Sequence, residues 1–158
     1  MENTEQHLFA DKEYQLVQAS AGKRFANYII DLVGFYALLF VVGIVIGLLN
    51  PPALESFNEE SGDYNIGQSL LFVLIFILYI SGMEAIFKGK TLGKLMTGTR
   101  AVNEDGSNLL VGTAFLRGLC RAIPFEAFSA LGTPSYPWHD KLSKSYVIDE
   151  KESNRPGI

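Results

Sequence analysis

Charge is missing from long stretches of this chain, and that absence says more than any motif. None of the 13 Lys and Arg residues lies between Phe25 and Phe87. From Leu32 to Leu54, and again from Tyr64 to Met83, there is no Asp, Glu, Lys, Arg or His. Cysteine is nearly absent too: the single Cys120 permits no internal disulfide and excludes a stapled secreted scaffold. The opening residues, rich in acids, lack the basic start of a secretory signal, so no signal peptide is expected. A formal net charge of −4 argues against a nucleic-acid partner. With 158 residues the chain has material for one domain.

The two charge-free runs are each long enough to cross a hydrocarbon core of about 30 Å as a helix, which takes roughly 20 apolar residues. Neither has the charged face of a helix that covers a soluble core. The expected fold is therefore an all-α membrane protein in contact with a lipid bilayer. Helix one is predicted over about 22–49, stopped by Asn50-Pro51-Pro52, because proline has no N–H to continue a helix. Helix two is predicted over about 66–87. The loop between them carries Glu55, Glu59, Glu60 and Asp63 and no base. Lys23 and Arg24 precede helix one, while Lys88, Lys90, Lys94 and Arg100 follow helix two. Basic residues collect on the cytoplasmic side, so both flanks are expected to face the cytoplasm, the N-terminus included.

Beyond the second span the signals mix. Asp105-Gly106 is a turn dipeptide that predicts a small cytoplasmic β-hairpin. Ser145 to Ile148 offers a further strand, and Tyr14 to Val17 another. The third helical segment, about 109–131, is largely apolar yet carries Arg117, Arg121, Glu126 and Pro124. Central arginines cost about 2.5–3.5 kcal/mol each on insertion scales, so it is read as amphipathic, re-entrant or spanning. Residues 1–20 and 150–158 are polar tails around a membrane domain at 21–149.

Ionisable groups within spans are rare and tend to be functional or paired, which singles out Asp31. It lies about 10 Å along the helix from Arg24 on the same face, with Asn27 between them and Arg117 or Arg121 as other partners. Two readings stand side by side: a cation or proton site, and a structural ion pair. Glu84 is expected to pair with Lys88 one turn on, or to join Asp31 in a site. Gly43 and Gly47 form a G-x-x-x-G that lets a second helix approach closely, so a homo-oligomer or a membrane partner subunit is expected. GKTLGK at Gly89–Lys94 lacks the spacing of a phosphate loop. His139-Asp140 has no second histidine nearby for a metal site. No cofactor motif and no nucleophile–base set occurs, so no enzyme is expected.

Four pieces in order resemble the RDD family of bacterial membrane proteins, named for one arginine and two aspartates. They are AGKRFANYIID (Ala21–Asp31), GKTLGKLMTGTRAVNEDG (Gly89–Gly106), AFLRGLCRAIP (Ala114–Pro124) and WHDKLSKSYVI (Trp138–Ile148). The resemblance implies that Arg24 is the named arginine, Asp31 the first aspartate and Asp140 the second, the last closing onto Arg117 or Arg121. It also implies a multi-pass protein of the inner membrane. Transport has been suggested for the family, sodium–proton exchange included, so one expectation is an oligomeric exchanger of Na⁺ and H⁺ at Asp31. The other is a non-transporting accessory or assembly subunit with Arg24, Asp31 and Asp140 in a structural polar network.

Overall fold

In the computed structural model the described residues are 16–52, 66–123, 126, 129 and 137–153. In chain order the elements are α1 (Ala21–Leu49), α2 (Ile66–Ile86), α3 (Leu92–Thr97), β1 (Thr99–Asn103), α4 (Val111–Arg121), α5 (Trp138–Leu142) and β2 (Ser145–Asp149). The acidic loop and the proposed tails fall largely outside these residues, as do Tyr14 and Pro124.

Among the described residues, helices α1 and α2 are the two long and apolar enough to cross a membrane. Only 6% of the most apolar window of α1, and 22% of that of α2, is buried against the rest of the chain. The core helix of a soluble protein would be mostly enclosed, so the low values favour lipid as the missing cover. Ser20 starts α1, its hydroxyl accepting from the Lys23 N–H at 3.3 Å. Burial along α1 is confined to Arg24, Asn27, Asp31 and Phe35. Beyond them, from Tyr36 to Leu49, exposed apolar side chains run to the end of the helix. On α2 the buried residues Ile77, Ile80, Ser81 and Glu84 lie in the opposite, C-terminal half. The helices are thus covered at the same end, where Phe35 meets Phe76 edge-on at 5.1 Å and Tyr79 at 5.6 Å.

The cover is a small cap made by the rest of the chain. Beyond α2 the backbone turns through Lys88 and Gly89, both with positive φ. A Cβ on Gly89 would lie 2.1 Å from the Ala101 carbonyl oxygen, so only glycine fits. Thr91 then caps α3, which packs on α1, while α4 packs on α2. Gly93 sits against the Asn27 backbone with no room for a Cβ, and Gly118 is equally tight against Ser81.

The two-stranded sheet is antiparallel β1–β2, from Thr99 opposite Asp149 to Asn103 opposite Ser145. The Asp105-Gly106 turn closes only a single bridge, Val102 with Asn108, and the main partner of β1 comes from the C-terminal strand. Burial explains the choice: Ala101, Val147, Ala19, Leu109 and Ala114 form one apolar cluster, which β2 completes. The segment Val17–Ala19 runs along the other edge of β2, with Ala19 N–H donating to Val147 at 2.9 Å and Asp149 N–H to Val17 at 2.9 Å. The third helical segment contains a short helix, α4, that ends at Arg121. At 1.5 Å per residue it is roughly 16 Å long, half of a hydrocarbon core. It is amphipathic with the apolar side out: Val111, Phe115, Leu116 and Leu119 are exposed, while Ala114, Arg117, Gly118 and Cys120 are buried.

Candidate functional site: a buried charge network under the cap

The interior at the junction of cap and helices holds charge rather than hydrocarbon. Asp140, on α5, is fully buried and bridges two guanidinium groups. One oxygen accepts from Arg24 on α1, and the other from Arg117 Nη1 on α4 at 2.5 Å. Arg117, also fully buried, extends the chain of charges by donating from Nε to Glu84 on α2 at 2.9 Å. Lys94 of α3 closes on the other oxygen of Glu84, which Arg121 approaches at 3.4 Å. Each of the five helices therefore contributes a charged side chain to this junction.

Arg24 does more than pair with Asp140. Its Nε donates to the Ala19 carbonyl at 3.2 Å and its Nη2 to that of Val147 at 3.3 Å. One side chain thus ties the entry segment, β2 and α5 to the start of α1. Arg117 also reaches the hydroxyl of Ser145 at the head of β2. Asp149 at the far end of β2 pairs with Lys23, and this contact holds its carboxyl below the usual aspartate range.

Asp31 stands apart from the ion pairs. Its Oδ1 accepts from the Gly93 N–H at 2.8 Å and its Oδ2 from the Thr91 hydroxyl at 2.7 Å. A carboxylate at the first turn of α3 satisfies an N–H that the short helix cannot use itself. The proposed pairing of Asp31 with Arg24, Arg117 or Arg121 is replaced by this cap, because side chains of Arg24 and Arg117 are drawn to Asp140. Asn27 belongs to the same anchor. In the amide orientation that satisfies both ends it donates to the Gly93 carbonyl at 3.0 Å and accepts from Thr99 Oγ1 at 2.9 Å. Glu84 likewise departs from its expected partner, choosing Lys94, Arg117 and Arg121 over Lys88. Gly43 has open space where a Cβ would go, so among the described residues nothing packs against it.

Lys94, Thr91 and Ser145 are members of this junction that sequence reasoning passed over. The available signal was inverted patterning. On α3 the apolar Leu92, Leu95 and Met96 are exposed while Lys94 is buried, as on α4. Burial pulls the Lys94 amine down to about 8, partly offset by Glu84. Burial and the neighbouring guanidinium groups hold His139 well below the ordinary histidine value, so it is neutral at pH 7 and its Nδ1 lies 2.5 Å from Glu126. Burial raises Glu126. Among the described residues no cluster of His, Cys, Asp and Glu could hold a metal ion.

No curated protein and no solved structure is a match for the chain. The model of the RDD family does match, over residues 18–144, a stretch that runs from the segment beside β2 through both apolar helices to α5 and contains Arg24, Asp31 and Asp140. The chain, a membrane protein with two apolar helices and a charged cap, belongs to the RDD family.

Proposed function

We propose that this chain is a non-catalytic subunit of a bacterial cytoplasmic-membrane assembly, with the cap on the cytoplasmic side and the charge network acting as its structural clamp. The observation that carries the reading is the occupancy of the acids. Both oxygens of Asp31, Glu84 and Asp140 are already bonded to protein groups. A transported cation needs carboxylate oxygens free to replace its water, and around Glu84 and Asp140 it would meet four positive side chains instead. The basic residues at the covered end and their absence from the acidic loop support the cytoplasmic placement. The open Gly43 face supports a helix from a second copy or a partner subunit.

One observation favours a second reading, cation–proton exchange by an oligomer. The Lys94–Glu84 pair is buried with the lysine at about 8, close enough to neutrality to release a proton. Purified protein in vesicles bearing a Na⁺ gradient separates the two. The structural reading expects no Na⁺-stimulated proton movement in wild type, and lower membrane abundance for Asp31→Asn. Proton movement in wild type that disappears in Asp31→Asn or Glu84→Gln at equal abundance would reverse the order of the readings.

A further inference from the structure

The buried ion pairs do not satisfy every donor. Arg24, Lys94, Arg117 and Arg121 are joined through only two carboxylates, Glu84 and Asp140. Two further buried carboxylates, Glu126 on His139 and Asp31 on Thr91 and Gly93, make the acids equal to the cations in number, but among the described residues neither accepts from Arg117 or Arg121. Two guanidinium N–H groups in the same place lack an acceptor among the described residues: Arg117 Nη2 and Arg121 Nε. Arg117 is fully enclosed, while the Arg121 side chain is 12% exposed and forms the rim. They stand one turn apart on α4 and so share a face.

A guanidinium N–H left without an acceptor in a low-dielectric interior is costly. A lysine could shed its proton, but arginine cannot, so at this position relief has to come from an added acceptor, and an anionic one binds a guanidinium most strongly. The guanidinium fork matches the oxygens of a phosphate.

We propose that Arg117 and Arg121 form a binding site for a phosphate oxyanion, supplied by the headgroup of an anionic phospholipid. The surroundings of the rim favour a lipid source over a soluble one. The opposite side of α4 exposes Val111, Phe115, Leu116 and Leu119, and α4 packs on the membrane-crossing α2. Acyl chains can lie along that apolar side while the headgroup reaches Arg121. Basic pockets between membrane helices take acidic headgroups by this arrangement of charge beside hydrocarbon.

The test uses the full chain in detergent micelles, with thermal unfolding followed as ligand is added. Three probes are compared: dioleoyl phosphatidylglycerol, phosphatidylcholine with the same acyl chains, and inorganic phosphate. Phosphatidylglycerol gives a saturable rise in melting temperature that phosphatidylcholine does not. Arg121→Gln weakens its apparent affinity at least tenfold, and Lys88→Gln, at an exposed cation near the same end, changes it less than twofold. Arg121→Lys retains the charge without the fork and weakens binding several-fold, which keeps the test open should the glutamine variant not fold. A rise with inorganic phosphate that also depends on Arg121 assigns the site to a soluble oxyanion and removes the lipid source. Equal stabilisation by both lipids, or binding unchanged in both Arg121 variants, overturns the site.

Discussion

Replacing Asp140 with asparagine tests the clamp at its centre. The side chain is fully buried between Arg24 and Arg117, so Asp140→Asn leaves two enclosed guanidinium groups sharing a neutral amide. One amide oxygen can serve one of them, and the amide NH₂ then faces the N–H groups of the other. Breaking a buried pair by removing one partner costs about 3–5 kcal/mol. In a domain of this size each kcal/mol moves the melting temperature by about 2–4 °C, so a fall of about 6–20 °C is expected. The comparison is Lys90→Gln, which removes a pair at 2.8 Å on the cap's outer side. Glu150 there keeps Arg100 at 2.6 Å, so the loss should be about 1 kcal/mol or less. Circular dichroism in detergent, read against temperature, measures both. Adding Arg24→Gln to Asp140→Asn should recover part of the loss, since one stranded cation goes with it. A shift for Asp140→Asn no larger than that for Lys90→Gln would refute the reasoning.

Two further perturbations address other links. Gly118→Ala would put a Cβ 2.0 Å from Ser81 Oγ and 3.3 Å from Ile77, so Ser81 must turn aside and α4 must shift slightly from α2; overpacking of this kind costs about 1–3 kcal/mol. Gly112→Ala on the same helix meets nothing within 4 Å and should leave the melting temperature unchanged or slightly raised; equal losses for the two would show that the close approach is not used. The third concerns pH and His139. Its folded value lies well below 6.5, mainly through burial, so the unfolded chain takes up the proton first as pH falls. The stability contributed by neutral His139 is present above about pH 6.5 and is lost on acidification below it. His139→Gln should therefore flatten the decline of melting temperature between about pH 6.5 and 5. Glu126, raised by burial, acts in the opposite sense as it takes up a proton, which makes the difference between wild type and variant the quantity to compare.

Much of the architecture was legible before any coordinates because it follows from composition over a window. The two helices expected over 22–49 and 66–87 became α1 and α2 within one residue at all four ends, and Pro51 marked the stop of α1. The strand at Ser145 to Ile148 was also readable, and its pairing with β1 buries Ala101 and Val102 together with Val147 and Ile148. The site was legible in its membership more than in its wiring. Arg24, Asp31, Glu84, Arg117, Arg121 and Asp140 were all marked, but Glu84 was given Lys88 one turn on or a site with Asp31, and Asp31 was given Arg24 on its own helix or Arg117 or Arg121 from the later segment. Their partners come instead from segments 10 to 62 residues away in sequence, where helical periodicity carries no information.

Sequence alone determined which segments lipid can cover, since the cost of burying charge in hydrocarbon depends on residue type and run length and hardly on partners. Only the tertiary structure decided where the charges went. A guanidinium has several carboxylates within its reach, and the choice is made by which helix faces close together once Gly93 and Gly118 allow contact. That is how Asp31 comes to cap α3 while Asp140, far along the chain, takes Arg24.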